Sequence, residues 1–121
     1  MNATTMLQTA AILLLLTAAG GGLMAVLRGA KKINPPSWLA MAHGLLAASG
    51  LTLLIYAATA GGLPGIAVLG IAILLVAAAG GVVMNLFYQL ADKLLPQWLL
   101  LLHIALAAAG LALVASAAWG G

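Results

Sequence analysis

The chain has 121 residues, of which 66% are apolar and 4% charged, with a formal net charge of +3 and no cysteine. So few charges exclude a water-dispersed globular domain, whose surface needs many more ionic side chains, and make a bilayer the natural solvent. The lack of cysteine excludes disulfides, iron–sulfur clusters and covalently attached haem, and four scattered basic residues form no nucleic-acid footprint.

The first apolar stretch, residues 6–28, runs through Gly20-Gly21-Gly22 and Met24 to Arg28, with Lys31 and Lys32 just beyond. No Lys or Arg precedes it and it exceeds a signal-peptide core, so it is expected to be retained as a membrane helix. Asn34-Pro35-Pro36-Ser37 then breaks the chain, and the second stretch, 36–59, carries Trp38, His43 and Gly50. A turn at Gly61-Gly62-Leu63-Pro64-Gly65 leads to the third, 64–90, with Gly80-Gly81, Met84, Asn85 and Tyr88. Asp92-Lys93 and Pro96 separate it from the fourth, 95–118, which holds Trp98, His103 and Gly110. Each stretch is long enough to cross about 30 Å of hydrocarbon as a helix. Alternation with a period of two is missing, which excludes a barrel of short strands. Pro36 and Pro96 suit the first helical turn, where a missing N–H costs little. Trp38, Trp98 and Tyr88 read as interfacial anchors, and Asn85 as a polar group with a local partner.

Arg28, Lys31, Lys32 and Lys93 all fall at one end of a four-helix path. The positive-inside rule makes that end cytoplasmic and places both termini on the other side, as in a bacterial inner-membrane protein.

An internal repeat organises the chain. At an offset of sixty residues Gly20 falls on Gly80, Met24 on Met84, Pro36 on Pro96, Trp38 on Trp98, His43 on His103 and Gly50 on Gly110. Rare residues such as Pro, Trp and His do not coincide in this way through composition alone. The expected fold is therefore a single all-α transmembrane domain over 1–121. It is an up-down four-helix bundle of two tandem hairpins, 6–59 and 64–119, related by a pseudo-twofold along the membrane normal.

The repeat maps the only two histidines onto each other, each about seven residues after its proline and hence roughly 10 Å into its helix. On diagonal helices, two imidazoles at one depth can approach the axis from opposite sides and hold one metal between them. Gly50 and Gly110 on the same helices, and Gly20 with Met24 and Gly80 with Met84 on the other two, keep the surroundings small.

This pattern resembles the bis-histidine four-helix membrane cytochromes of b type. The resemblance rests on His43 and His103, each above a Pro-x-Trp start, with glycines in the surrounding helices. It implies one haem b with His43 and His103 as axial ligands, Gly20, Gly50, Gly80 and Gly110 making room, and Arg28, Lys31 and Lys32 receiving the propionates. Members of that class often carry four histidines for two haems, whereas this chain has two. The implied role is an electron carrier or electron-transfer subunit, not an enzyme. Its surroundings would be membrane lipid, and its partners a quinone, a larger redox complex or a second copy.

Other readings stand beside this one. Met24, His43, Met84 and His103 form a candidate soft copper site. A non-redox assembly subunit would use the small-residue stripes to bind neighbouring helices and the histidines as interhelical hydrogen bonds. A proton-coupled drug exporter needs a carboxylate within the bilayer, but the only acidic residue, Asp92, lies in a loop. Gly20-Gly21-Gly22-Leu23 with Arg28 looks faintly like the start of small fluoride channels, yet no polar pore lining follows. Hydrolytic chemistry lacks a nucleophile, base and orienting acid that could meet in one site.

Overall fold

A computed structural model describes residues 1–120 and contains four long helices and no strand among them. The helices are α1 (Ala3–Lys31), α2 (Ser37–Ala60), α3 (Gly65–Met84) and α4 (Gln97–Trp119). All four are long and apolar enough to cross a membrane, α3 together with the turn that extends it to Gln89.

Local chemistry sets the helix ends. Asn2 caps α1 by accepting a hydrogen bond from Thr5 N at 2.8 Å, and Lys32 closes it in the left-handed conformation at φ 54°. Pro36, Pro64 and Pro96 each stand immediately before a helix, with φ between −61° and −66°, and their carbonyls accept the first helical N–H bonds. The prolines are thus one position earlier than expected, at the cap itself, where an extended ψ is required and no N–H is missed. The end of α3 also departs from expectation. Residues Asn85–Gln89 widen into a π-helical turn, with Leu90 N bonding Asn85 O at 2.9 Å, before the chain leaves the bundle.

Short connections make consecutive helices antiparallel neighbours. The closest pairings are α1 with α2 and α3 with α4; α1 also lies along α4, while α2 and α3 touch at far fewer places. The tightly packed core occupies the half of the bundle nearest the termini, where Leu7, Leu14, Leu54, Leu74 and Val114 are buried. Glycine permits the crossings there. A Cβ on Gly50 would lie 2.9 Å from the Leu14 side chain, and one on Gly110 would lie 2.7 Å from that of Leu74.

The half nearest the basic residues is packed differently. The two loops at that end are tied together: Asn34 Nδ2 donates to Lys93 O at 2.7 Å, and Leu95 N donates to Asn34 Oδ1 at 3.0 Å. Gln89 Nε2 donates to Pro35 O and Arg28 Nε to Leu95 O, both at 2.7 Å. Between this latch and the core the helices stand apart.

Candidate functional site: a paired-histidine cavity

That separation encloses a cavity of about 940 Å³ lined by all four helices. Its volume falls at the upper end of small-molecule and cofactor sites, and its wall is almost wholly apolar. His43 from α2 and His103 from α4 both line it, with ring centroids 6.2 Å apart and ring planes at 63°.

Each ring is fixed by a neighbouring helix in the same way. His43 Nδ1 lies 2.8 Å from Thr17 O on α1, and His103 Nδ1 lies 2.7 Å from Ala77 O on α3. A carbonyl oxygen can only accept, so in both rings Nδ1 carries the proton and donates. In the neutral ring Nε2 then keeps its lone pair. No described residue bonds either Nε2. This is how protein metal ligands are oriented: one imidazole nitrogen held by a carbonyl, the other presented.

Space for each ring comes from a glycine one turn beyond the accepting carbonyl. A Cβ on Gly21 would fall 2.8 Å from His43 Cε1, and one on Gly81 would fall 3.2 Å from His103 Cε1. Any larger residue pushes the imidazole away from the carbonyl that holds it.

The centroid separation can be compared with that of a shared metal. A metal–imidazole bond of roughly 2.0–2.1 Å, plus about 1.1 Å from ring nitrogen to ring centre, puts two coaxial ligand rings about 6.3 Å apart. The observed separation of 6.2 Å is close to that value. The described residues contain no group of three or more His, Cys, Asp or Glu able to hold a metal. A metal between these rings therefore takes its remaining ligands from something other than such side chains. A macrocycle provides four in one plane.

Of the residues singled out from sequence, His43, His103, Met24 and Met84 line the cavity. Gly20 and Gly80 do not; their neighbours Gly21 and Gly81 do, because the rings pack one residue further along. Gly50 and Gly110 sit at helix crossings in the packed half, so they set interhelical distance instead of lining the cavity. Arg28 is half-buried and pinned to Leu95, which lines the cavity, whereas Lys31 and Lys32 are exposed and stand outside it. Asn85, expected to bond locally, makes no side-chain bond with the described residues and lines the cavity.

Sequence reasoning missed Gly21, Gly81, the carbonyls of Thr17 and Ala77, and the latch through Asn34 and Gln89. The doubled glycines at 20–21 and 80–81 were the available signal for the first pair. A backbone carbonyl has no signature in residue type. Comparison with known proteins finds no matching family model, no similar curated protein and no similar solved structure.

Proposed function

We propose that this chain is a membrane haem protein of b type that carries one electron at a time, with His43 and His103 as the two axial ligands. The observation that carries this reading is the pair of imidazoles, each with Nδ1 spent on a carbonyl, at a centroid distance of 6.2 Å. A cavity of about 940 Å³ with apolar walls supports it, since a flat apolar macrocycle needs a slot between helices. The haem supplies an iron that alternates between two oxidation states. The chain's residues hold and tune it: the carbonyl bonds raise the basicity of both imidazoles, and the low-dielectric wall keeps water from the metal.

Arg28 is the basic group best placed for a haem carboxylate, because its Nε is anchored while its other guanidinium N–H groups make no bond with the described residues. The remaining basic residues mark the cytoplasmic end, with both termini outside, in the inner membrane of a bacterium. We read the architecture as two copies of one hairpin about a pseudo-twofold along the membrane normal. Support comes from equivalent contacts recurring sixty residues apart: Thr17 with Ala77 at the histidines, and Leu14 with Leu74 at the glycine crossings.

The test is a visible spectrum of the protein purified in mild detergent with haem supplied. A Soret band with sharp α and β bands on reduction, lost in both His43→Ala and His103→Ala, is the expected result. A folded chain that stays colourless refutes it and favours a non-redox assembly role. Because Met24 and Met84 also line the cavity, stoichiometric Cu(I) uptake without a Soret band assigns the site to copper instead.

A further inference from the structure

A ligand that fills this cavity must have a way in, and the ends and flanks of the bundle differ in how firmly they are held. Toward the termini the passage is filled by Leu14, Leu54, Leu74 and Val114, all buried. Toward the basic end it is covered by the latch of Asn34, Gln89 and Arg28, whose four hydrogen bonds tie the end of the first hairpin's α1 and its loop to the π turn and loop of the second. The flank between α1 and α4 is more closely packed than that between α2 and α3 and is tied at the terminal end, where Gln8 Nε2 donates to Ala118 O at 3.2 Å, although Gly22 and Ile104 on it are exposed where they line the cavity. The remaining flank, between α2 and α3, has the sparsest contact of any neighbouring pair. Its edges are cavity-lining residues that are themselves exposed: Met41, Gly44 and Leu45 on α2, Val82 and Leu86 on α3. Apart from Gly44 these are apolar side chains, and among the described residues no hydrogen bond joins α2 to α3 to resist their parting.

We infer that the cavity takes up and releases its ligand sideways, from the hydrocarbon of the bilayer, through the seam between α2 and α3. The ligand class this route admits is a flat, largely apolar molecule that dissolves in lipid; taking it to be haem rests on the function proposed above. A water-soluble ion or metabolite has no path here, because the aqueous end is latched and the open flank faces lipid. The bundle need not unfold to load, since only α2 and α3 have to separate while α1·α2 and α3·α4 stay paired.

Two glycines allow a matched test. Gly44 and Gly22 both line the cavity, on α2 and α1, and a Cβ at either position meets no atom within 4 Å. Gly44 borders the α2–α3 seam and Gly22, by its helical position beside Ala18 and Ala25, the α1–α4 flank. Haemin is added to the apo protein in lipid nanodiscs, and both loading and transfer to an excess of apomyoglobin are timed. Gly44→Trp should slow both loading and release by about tenfold or more, which a change in affinity alone would not do to both rates together. Gly22→Trp, an equal intrusion on the cavity wall from α1, should slow them far less. Gly44→Leu replaces Gly44→Trp if the bulkier side chain prevents folding. Opening the latch with Asn34→Ala and Gln89→Ala should not speed loading. The inference is overturned if the latch variant loads about tenfold faster, or if Gly22→Trp and not Gly44→Trp is the slow one.

A second arm needs no ligand. With no native cysteine, Ala47→Cys takes a single nitroxide on the cavity wall, whose collisions with lipid-dissolved oxygen and with an aqueous nickel chelate are compared. Oxygen should dominate, and Gly44→Trp should cut its access; predominant contact with the chelate refutes the lateral route. If the parent takes up no haem but this arm behaves as stated, the ligand class is wrong and the route stands.

Discussion

Replacing Gly21 by alanine puts a methyl carbon 2.8 Å from His43 Cε1 and 3.3 Å from its Nδ1, whereas the same change at Gly81 leaves 3.2 Å and 3.7 Å. Carbon atoms rest at about 3.5–4.0 Å, so the His43 ring must retreat by roughly 0.7–1 Å and the His103 ring by only a few tenths. A retreat of that size stretches the 2.8 Å bond to Thr17 O past hydrogen-bonding range. The lost bond is worth about 1 kcal/mol net in holding the ring on aim, so haem affinity should fall about fivefold in Gly21→Ala. In Gly81→Ala the bond to Ala77 O bends but survives, and the loss should be about threefold or less. Alanine is also the better helix former by roughly 0.5–1 kcal/mol, so the thermal stability of the apo protein should hold or rise in Gly81→Ala and stay nearly level in Gly21→Ala, where this gain offsets the lost bond. Haem titration followed at the Soret band, with melting of the apo protein alongside, reads the two effects separately. Equal affinities for the two variants, or a greater loss in Gly81→Ala, would refute the assignment of these glycines to ring positioning.

His103→Met should retain haem but shift its reduced bands and raise its potential, since a thioether replaces a carbonyl-held imidazole; redox titration reads the change. At the tighter helix crossing, Gly110→Ala forces a methyl to 2.7 Å from Leu74 and should destabilise the bundle by about 1–3 kcal/mol. Thermal melting in detergent measures that loss, and adding Leu74→Ala should recover part of it. Asn34→Ala removes both bonds between the two loops that this side chain makes, to Lys93 O and from Leu95 N, and should cost about 1–3 kcal/mol. Faster amide exchange at Leu95 is the check. Arg28→Gln should weaken haem binding several-fold more than Lys31→Gln or Lys32→Gln, because only Arg28 is half-buried and anchored beside the cavity.

Much of this molecule is written one residue at a time. Apolar runs broken by proline and glycine give four helices because bilayer thickness and backbone hydrogen bonding leave few alternatives. That reasoning needs no neighbour, which is why each helix begins within a few residues of its expected place. The placement of His43 and His103 in one cavity with Met24 and Met84 was likewise legible, from their shared offset and depth. The π turn at Asn85–Gln89 was not: it ends at Gln89, which bonds Pro35 O in the other hairpin, a contact between segments distant in sequence.

Sequence alone determined the number of spans, their breaks and the two nitrogen-bearing side chains that must share the interior, because hydropathy and rare residues act locally. Only the tertiary structure decided which glycine meets each imidazole, that Gly50 and Gly110 serve packing, and that the lysines stand clear of the cavity. Those outcomes depend on the angle and distance at which helices cross. Such quantities come from the sum of many side-chain contacts, and no single residue type carries them.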